Sequence, residues 1–273
     1  MRSRSEVVSS SPISLAQVRE ASAEQLARAF SGPPAEAARW IAAAARAGMV
    51  EAQFLYGQIL LEGRGVPEDR RGALGWFQVA AGAGHLPSLT MVGRCHELGW
   101  GTTADLPRAA TFYRQAAEQG FDWAQYNLAT LLARGAGLPQ DRAAALAWFR
   151  RAAAQGHAKS MTVLGRYLEA GWAGPPDSAA ARALYARAAA AGEFRAQFNM
   201  GSLALEVGQE EAALDWFRRA AETGSPGFLG SMAERLLTRP EPAVRDFGQR
   251  LMDRLRARFP MPGQTAPGGP GRG

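Results

Sequence analysis

The sequence predicts an all-α chain, a right-handed superhelical solenoid of about five helix-turn-helix repeats with helical caps. Three observations predict it. Glycines at 48, 84, 120, 156 and 192 recur every 36 residues, each closing an alanine-rich run, and Gly224 follows after 32. Eight residues before each glycine stands a bulky doublet: Trp40-Ile41, Trp76-Phe77, Phe112-Tyr113, Trp148-Phe149, Leu184-Tyr185 and Trp216-Phe217. Inside a unit the small and apolar residues follow helical spacing, as in Ala52, Tyr56, Gly57 and Leu60, then Ala73, Trp76, Phe77 and Ala80. A helix pair of that length cannot bury its apolar face alone, so the units must stack.

Taken in order, residues 1–12 are Ser-rich and expected to be disordered, and residues 13–35 read as an N-terminal capping helix. Leu15, Val18, Leu26 and Phe30 form its stripe, and Ser31-Gly32-Pro33-Pro34 stops it. Residues 36–224 carry the repeats. Each first helix ends in a glycine loop: Gly63-Arg64-Gly65, Gly99-Trp100-Gly101, Gly135-Ala136-Gly137 and Gly171-Trp172-Ala173-Gly174. An aspartate follows each loop, at 69, 105, 141 and 177, placed to cap the second helix with its carboxylate. The fifth unit omits the loop and passes through Val207-Gly208-Gln209 into its second helix. The doublet is expected to fill the layer between neighbouring repeats. Residues 225–259 supply capping helices, with Val244, Phe247, Leu251, Leu255 and Phe259 on one stripe and Arg245, Arg250, Arg254, Arg256 and Arg258 opposite. Residues 260–273 are a Pro/Gly-rich tail, also expected to be disordered.

Composition narrows the function. The 273 residues are 47% apolar and 21% charged, with seven Trp and twelve Phe, too many apolar anchors for a solvated chain. No apolar run reaches the ~18 residues of a crossing helix; the best, from Trp40 to Val50, is interrupted by Arg46. A lone cysteine, Cys95, excludes an intramolecular disulfide framework and a cysteine zinc cluster. The net charge of +6 is almost wholly arginine, Lys159 being the sole lysine, which genome composition explains more simply than nucleic-acid binding. Polar sequence follows Arg2 and Arg4 where a secretory signal would place its apolar core, so a cytoplasmic location is expected.

The segment Ala52-Gln53-Phe54-Leu55-Tyr56-Gly57, then Gly63-Arg64-Gly65-Val66, Asp69, Ala73, Trp76-Phe77 and Ala80-Ala81-Gly82-Ala83-Gly84, resembles the Sel-one-like repeat, a tetratricopeptide-related helix pair. The resemblance spans about residues 36–224. It departs where the family's tyrosine is Leu60, His96, Leu132, Leu168 and Ala204. It implies a non-catalytic protein-protein interaction adaptor of a bacterial cell, without cofactor or metal, whose first helices line a concave groove. Carried over residue by residue, the groove includes Phe54, Arg94, Trp123, Tyr126, Arg134, Arg166, Arg195 and Phe198. Aromatic and arginine side chains suit a protein partner with acidic and hydrophobic contact residues. Phe54, Tyr126 and Phe198 read equally well as packing between repeats. The rivals are a cell-wall or β-lactam-type hydrolase, as for disulfide-rich relatives with paired cysteines in each repeat, and RNA binding through the arginines.

Other candidate chemistry reads as structure. The glycine loops follow helices and lack a Lys-Ser/Thr pair, so they do not cradle phosphate. His85 and His157 share one repeat position, just after a closing glycine, and are expected to cap or pack. His96 is expected to be half-buried and satisfied; it cannot couple to adjacent Cys95, since successive helical residues point about 100° apart. Trp100 and Trp172, in corresponding loops two repeats apart, either fold back on the neighbouring helix or project as a hydrophobic edge.

Overall fold

The computed structural model describes residues 13–172 and 174–258; the expected terminal tails, Phe259 of the last stripe and Ala173 of the fourth loop lie outside the described residues. Among the described residues the chain is all helix: α1 (Leu15–Glu20), α2 (Ala23–Ser31), α3 (Pro34–Arg46), α4 (Val50–Glu62), α5 (Arg70–Gly82), α6 (Leu86–Leu98), α7 (Leu106–Glu118), α8 (Asp122–Arg134), α9 (Arg142–Ala154), α10 (Ala158–Glu169), α11 (Ser178–Ala190), α12 (Phe194–Glu206), α13 (Glu210–Thr223), α14 (Pro226–Leu237) and α15 (Pro242–Arg258). The chain divides at Ala152–Ala153 into two compact units. In the first, α3 packs on α4, α4 on α5, and so on to α8; in the second, α10 packs on α11, α11 on α12, α12 on α13, and α14 on α15. This is the α-solenoid class that the 36-residue lattice predicts.

One expected element divides in two. Residues 13–30 form α1 and α2 rather than a single helix, because Ser22 starts a new one: its hydroxyl accepts from the Gln25 amide and the Gln25 side chain accepts from the Ser22 amide. Ser14 and Gln17 make the same reciprocal cap on α1.

The loops behave as their residues dictate. Gly63, Gly99 and Gly135 end α4, α6 and α8 in the left-handed conformation. The aspartate after each loop works twice. Its amide donates to a carbonyl of the first helix, at 2.8 Å for Asp69–Leu60, 2.7 Å for Asp105–His96 and 3.0 Å for Asp141–Leu132 and Asp177–Leu168. Its carboxylate accepts from Gly72, Arg108, Ala144 and Ala180 at the start of the second helix, at 2.8–2.9 Å. The second loop glycine has a separate cause. Gly101, at φ +72°, lies so close to Arg70 and Arg71 at the start of α5 that a side chain there would strike backbone; Gly65 and Gly137 stand likewise against Pro34 and Leu106.

The doublet splits its labour. Its second member is the plug: Phe77, Tyr113, Phe149, Tyr185 and Phe217 are all fully buried. In four of the five units the ring lies over a glycine of the partner helix, Gly57, Gly93, Gly165 or Gly201, whose missing side chain admits it. The first member is only half-buried, against the expectation that both fill the layer. Arginines lie over two of these outer rings, Arg151 on Trp148 at 4.5 Å and Arg219 on Trp216 at 4.9 Å.

Candidate binding surface

The polar side chains alternate between repeats, so that corresponding groups recur every second one. Gln53, Gln125 and Gln197, in the first, third and fifth repeats, donate across to Ala45, Ala117 and Ala189 carbonyls at 3.2–3.3 Å. In the second and fourth, His85 and His157 replace this contact by capping their helices, each Nδ1 accepting from a serine amide, Ser88 at 3.3 Å and Ser160 at 3.2 Å. The same two repeats carry Tyr113 donating to Glu97 at 2.5 Å and Tyr185 donating to Glu169 at 2.9 Å. Burial, reinforced by those carboxylates, pushes both phenols far above their ordinary range, so they act as hydrogen-bond donors.

His96 departs from expectation. It is 3% exposed rather than half-buried, stacked on Phe112 at 5.4 Å, and neither ring nitrogen has a hydrogen-bond partner among the described residues. Burial, with Arg108 adding and Asp105 opposing, lowers its pKa. The unfolded chain therefore takes up a proton near pH 6.5 that the folded chain refuses. Stability is complete above that pH and falls as pH drops through the folded value, by at most about 1.4 kcal/mol per unit. His96→Leu, the residue type at positions 60, 132 and 168, is expected to stabilise the protein at pH 7.5 and by more at pH 5.5. Urea midpoints at the two pH values check this; an equal gain at both contradicts the assignment. Burial also pushes the Cys95 thiol up to about 11, despite the opposing Arg94, so it is no nucleophile near neutrality.

In the first unit, Arg94 and Trp100 come together: the guanidinium lies 5.2 Å from the indole, and both line a cleft of about 370 Å³ with Gln58 and Met91. Trp100 is half-buried against the α4–α6 core, so it folds back. Phe54 is half-buried, 5.1 Å from His85 and 6.0 Å from Phe77, and Tyr126 lies 5.9 Å from Phe149; both pack more than they present. Trp123, 43% exposed, and Arg134, exposed, stand at opposite ends of α8, roughly 16 Å apart along the axis, and do not form one patch.

In the second unit, Arg166, Arg195 and Phe198 do come together, around a cleft of about 380 Å³. Phe198 corrects the expected groove: at 3% exposed it belongs to the core with Phe217 and Met232, not among accessible anchors. The cleft gains Phe228, Ser231 and Arg235 from α14, which sequence reasoning treated as a cap. Trp172 is 54% exposed, edge-on to Tyr167 at 5.1 Å, so the two loop tryptophans have different fates. On α15, Val244, Phe247 and Leu251 are buried as expected. Arg245, however, leaves the basic face to donate to the Arg239 and Pro240 carbonyls behind α14. No described helix is long and apolar enough to cross a membrane.

The sequence profile of the Sel1 repeat matches the chain five times, at residues 50–85, 86–121, 124–157, 158–193 and 195–225. No curated protein sequence matches. Among solved structures, a Sel1 repeat protein from Oxalobacter formigenes is similar at 25% identity with a TM-score of 0.71, over 86% of this chain and 99% of that one. The protective antigen c5321 of uropathogenic Escherichia coli, described as displaying an SLR fold, is similar at 26% identity and TM-score 0.60, over 86% of this chain and 52% of that one. The immunity protein Pa5087 from Pseudomonas aeruginosa shares the fold at 17% identity and TM-score 0.52, over 76% and 82%.

Proposed function

The chain belongs to the Sel1 repeat family, and from that premise we propose that it is a non-catalytic adaptor of a bacterial cytoplasm, holding a peptide or helical surface of a protein partner against its arginines and aromatics. Sel1 repeat proteins generally mediate protein-protein interaction and are typically scaffolds. The observation that carries the reading is a division of labour among polar groups. The recurring aspartates, the repeat-position histidines and the buried tyrosines are all engaged in capping and packing. Arg94, Arg166 and Arg195 instead line open clefts beside aromatic rings. Guanidinium groups there suit recognition, since they grip carboxylates in a plane and need no reaction pocket. The hydrolase rival draws no support from Cys95, which is buried.

The double substitution Arg94→Glu with Arg166→Glu is expected to abolish partner capture while leaving helicity unchanged by circular dichroism. Recovery of the same partners in affinity purification would remove these arginines from the binding surface.

A further inference from the structure

The cleft in the second unit has a composition that specifies more than protein binding in general. Three guanidinium groups from three successive first helices line it: Arg166 on α10, Arg195 on α12 and Arg235 on α14. Two are laid on rings. Arg195 lies 4.6 Å from the Phe194 ring and 5.8 Å from Phe228, and Arg235 lies 4.6 Å from Phe198. A guanidinium resting on an aromatic face is already held, so it has little freedom left to lose on binding, and it keeps its N–H edge for a planar acceptor.

Local carboxylates leave that charge in surplus. Glu169 lines the same cleft but is tied to the Tyr185 hydroxyl at 2.9 Å. Glu193 turns Oε1 toward Arg195 at 3.9 Å, while its Oε2 caps α12 through Ala196 at 2.7 Å and accepts from Thr162 at 2.8 Å. Two carboxylates thus stand against three guanidinium groups, and one positive charge is in excess. Among the described residues no ion pair joins Arg166 or Arg235 to a carboxylate. The walls between the arginines are mixed: Asn199 and Ser231 are polar, and the half-buried Phe228 is the most available apolar surface beside the buried Phe198 and Met232. A volume of about 380 Å³ sits at the small end of the ~300–1,000 Å³ range for compact ligands, so a short segment fits. Glu169 on the wall disfavours a densely charged phosphate backbone more than a single carboxylate.

We infer that α10, α12 and α14 form a receptor for a short acidic peptide segment of a partner protein, its carboxylate meeting Arg195 and Arg235 edge-on and an adjacent apolar side chain lying on Phe228. This rests on the protein-binding reading above and assigns α14 to the binding surface.

The test presents the full chain to a display library of short random peptides and measures the selected peptides by fluorescence anisotropy. Selected sequences are expected to pair Asp or Glu with a neighbouring aromatic or leucine. Changing those acids to amides should weaken binding at least about tenfold, as should Arg235→Gln or Arg195→Gln in the protein, with circular dichroism confirming that each variant is folded. Arg235→Lys, which keeps the charge without the planar fork, should recover only part of the loss. Selection of peptides without acidic residues, binding indifferent to both Gln variants, failure to select any peptide, or tighter binding of a uridine oligonucleotide than of any peptide overturns the inference. Peptides lost on Arg94→Glu but retained by Arg235→Gln and Arg195→Gln would sink this receptor and leave the adaptor reading standing.

Discussion

Phe217→Ala is expected to destabilise the second unit by about 3–5 kcal/mol, the range for deleting a buried phenyl ring. Phe217 has no exposure and sits among Phe198, Met232, Leu236 and Val244, gathered from three other helices. Its ring lies over Gly201, where even a methyl group would come within 2.5 Å, and 5.4 Å from Phe198. Removing it leaves a void over Gly201, which has no side chain to fill it, so the site relaxes only in part. Trp216→Ala deletes more atoms from the adjacent position, yet it should cost less, since that ring is half-buried with Arg219 over it. Urea denaturation followed by circular dichroism compares the two; an equal or reversed order would falsify the assignment of the plug to the second member of the doublet.

Gly101→Ala is the second large effect, at about 2–5 kcal/mol. The left-handed backbone at φ +72° costs an L-residue about 1–2 kcal/mol. Driving a methyl into the backbone at Arg70 adds the ~1–3 kcal/mol typical of overpacking, because a helix start cannot rotate aside as a side chain can. Gly84→Ala separates the two causes. Gly84 has a similar φ of +84° but nothing within 4 Å of the added methyl, so only the conformational cost applies. Equal denaturation midpoints for the two variants would show that the contact with α5 carries no energy.

The repeats were legible because each lattice residue has one positional cause: a glycine that turns, an aspartate that caps, a ring that fills. Periodicity reports spacing without saying which of two adjacent bulky residues faces the neighbour, so Trp216 and Phe217 look alike in sequence, and only the placement of Gly201 against the Phe217 ring separates them. The N-terminal break was written in Ser14-x-x-Gln17 and Ser22-x-x-Gln25, but the apolar stripe across both masked it. That Arg166, Arg195 and Phe198 meet around one cleft was legible only because the resemblance set their register. Arg235 escaped because the shorter fifth repeat takes α14 off the 36-residue lattice. His96 escaped differently: nothing in a sequence reveals that a polar ring will find no partner.

The inner glycine loops constrain how this architecture can grow. Gly65, Gly101 and Gly137 are each pressed onto a helix of the preceding repeat, so extra residues inserted there would lever two repeats apart. The turns at Gly48, Gly84, Gly120 and Gly192 face open space. Foreign segments, tags or whole domains grafted into the chain should therefore be tolerated at those outer turns, where a lengthened loop hangs clear of the stack.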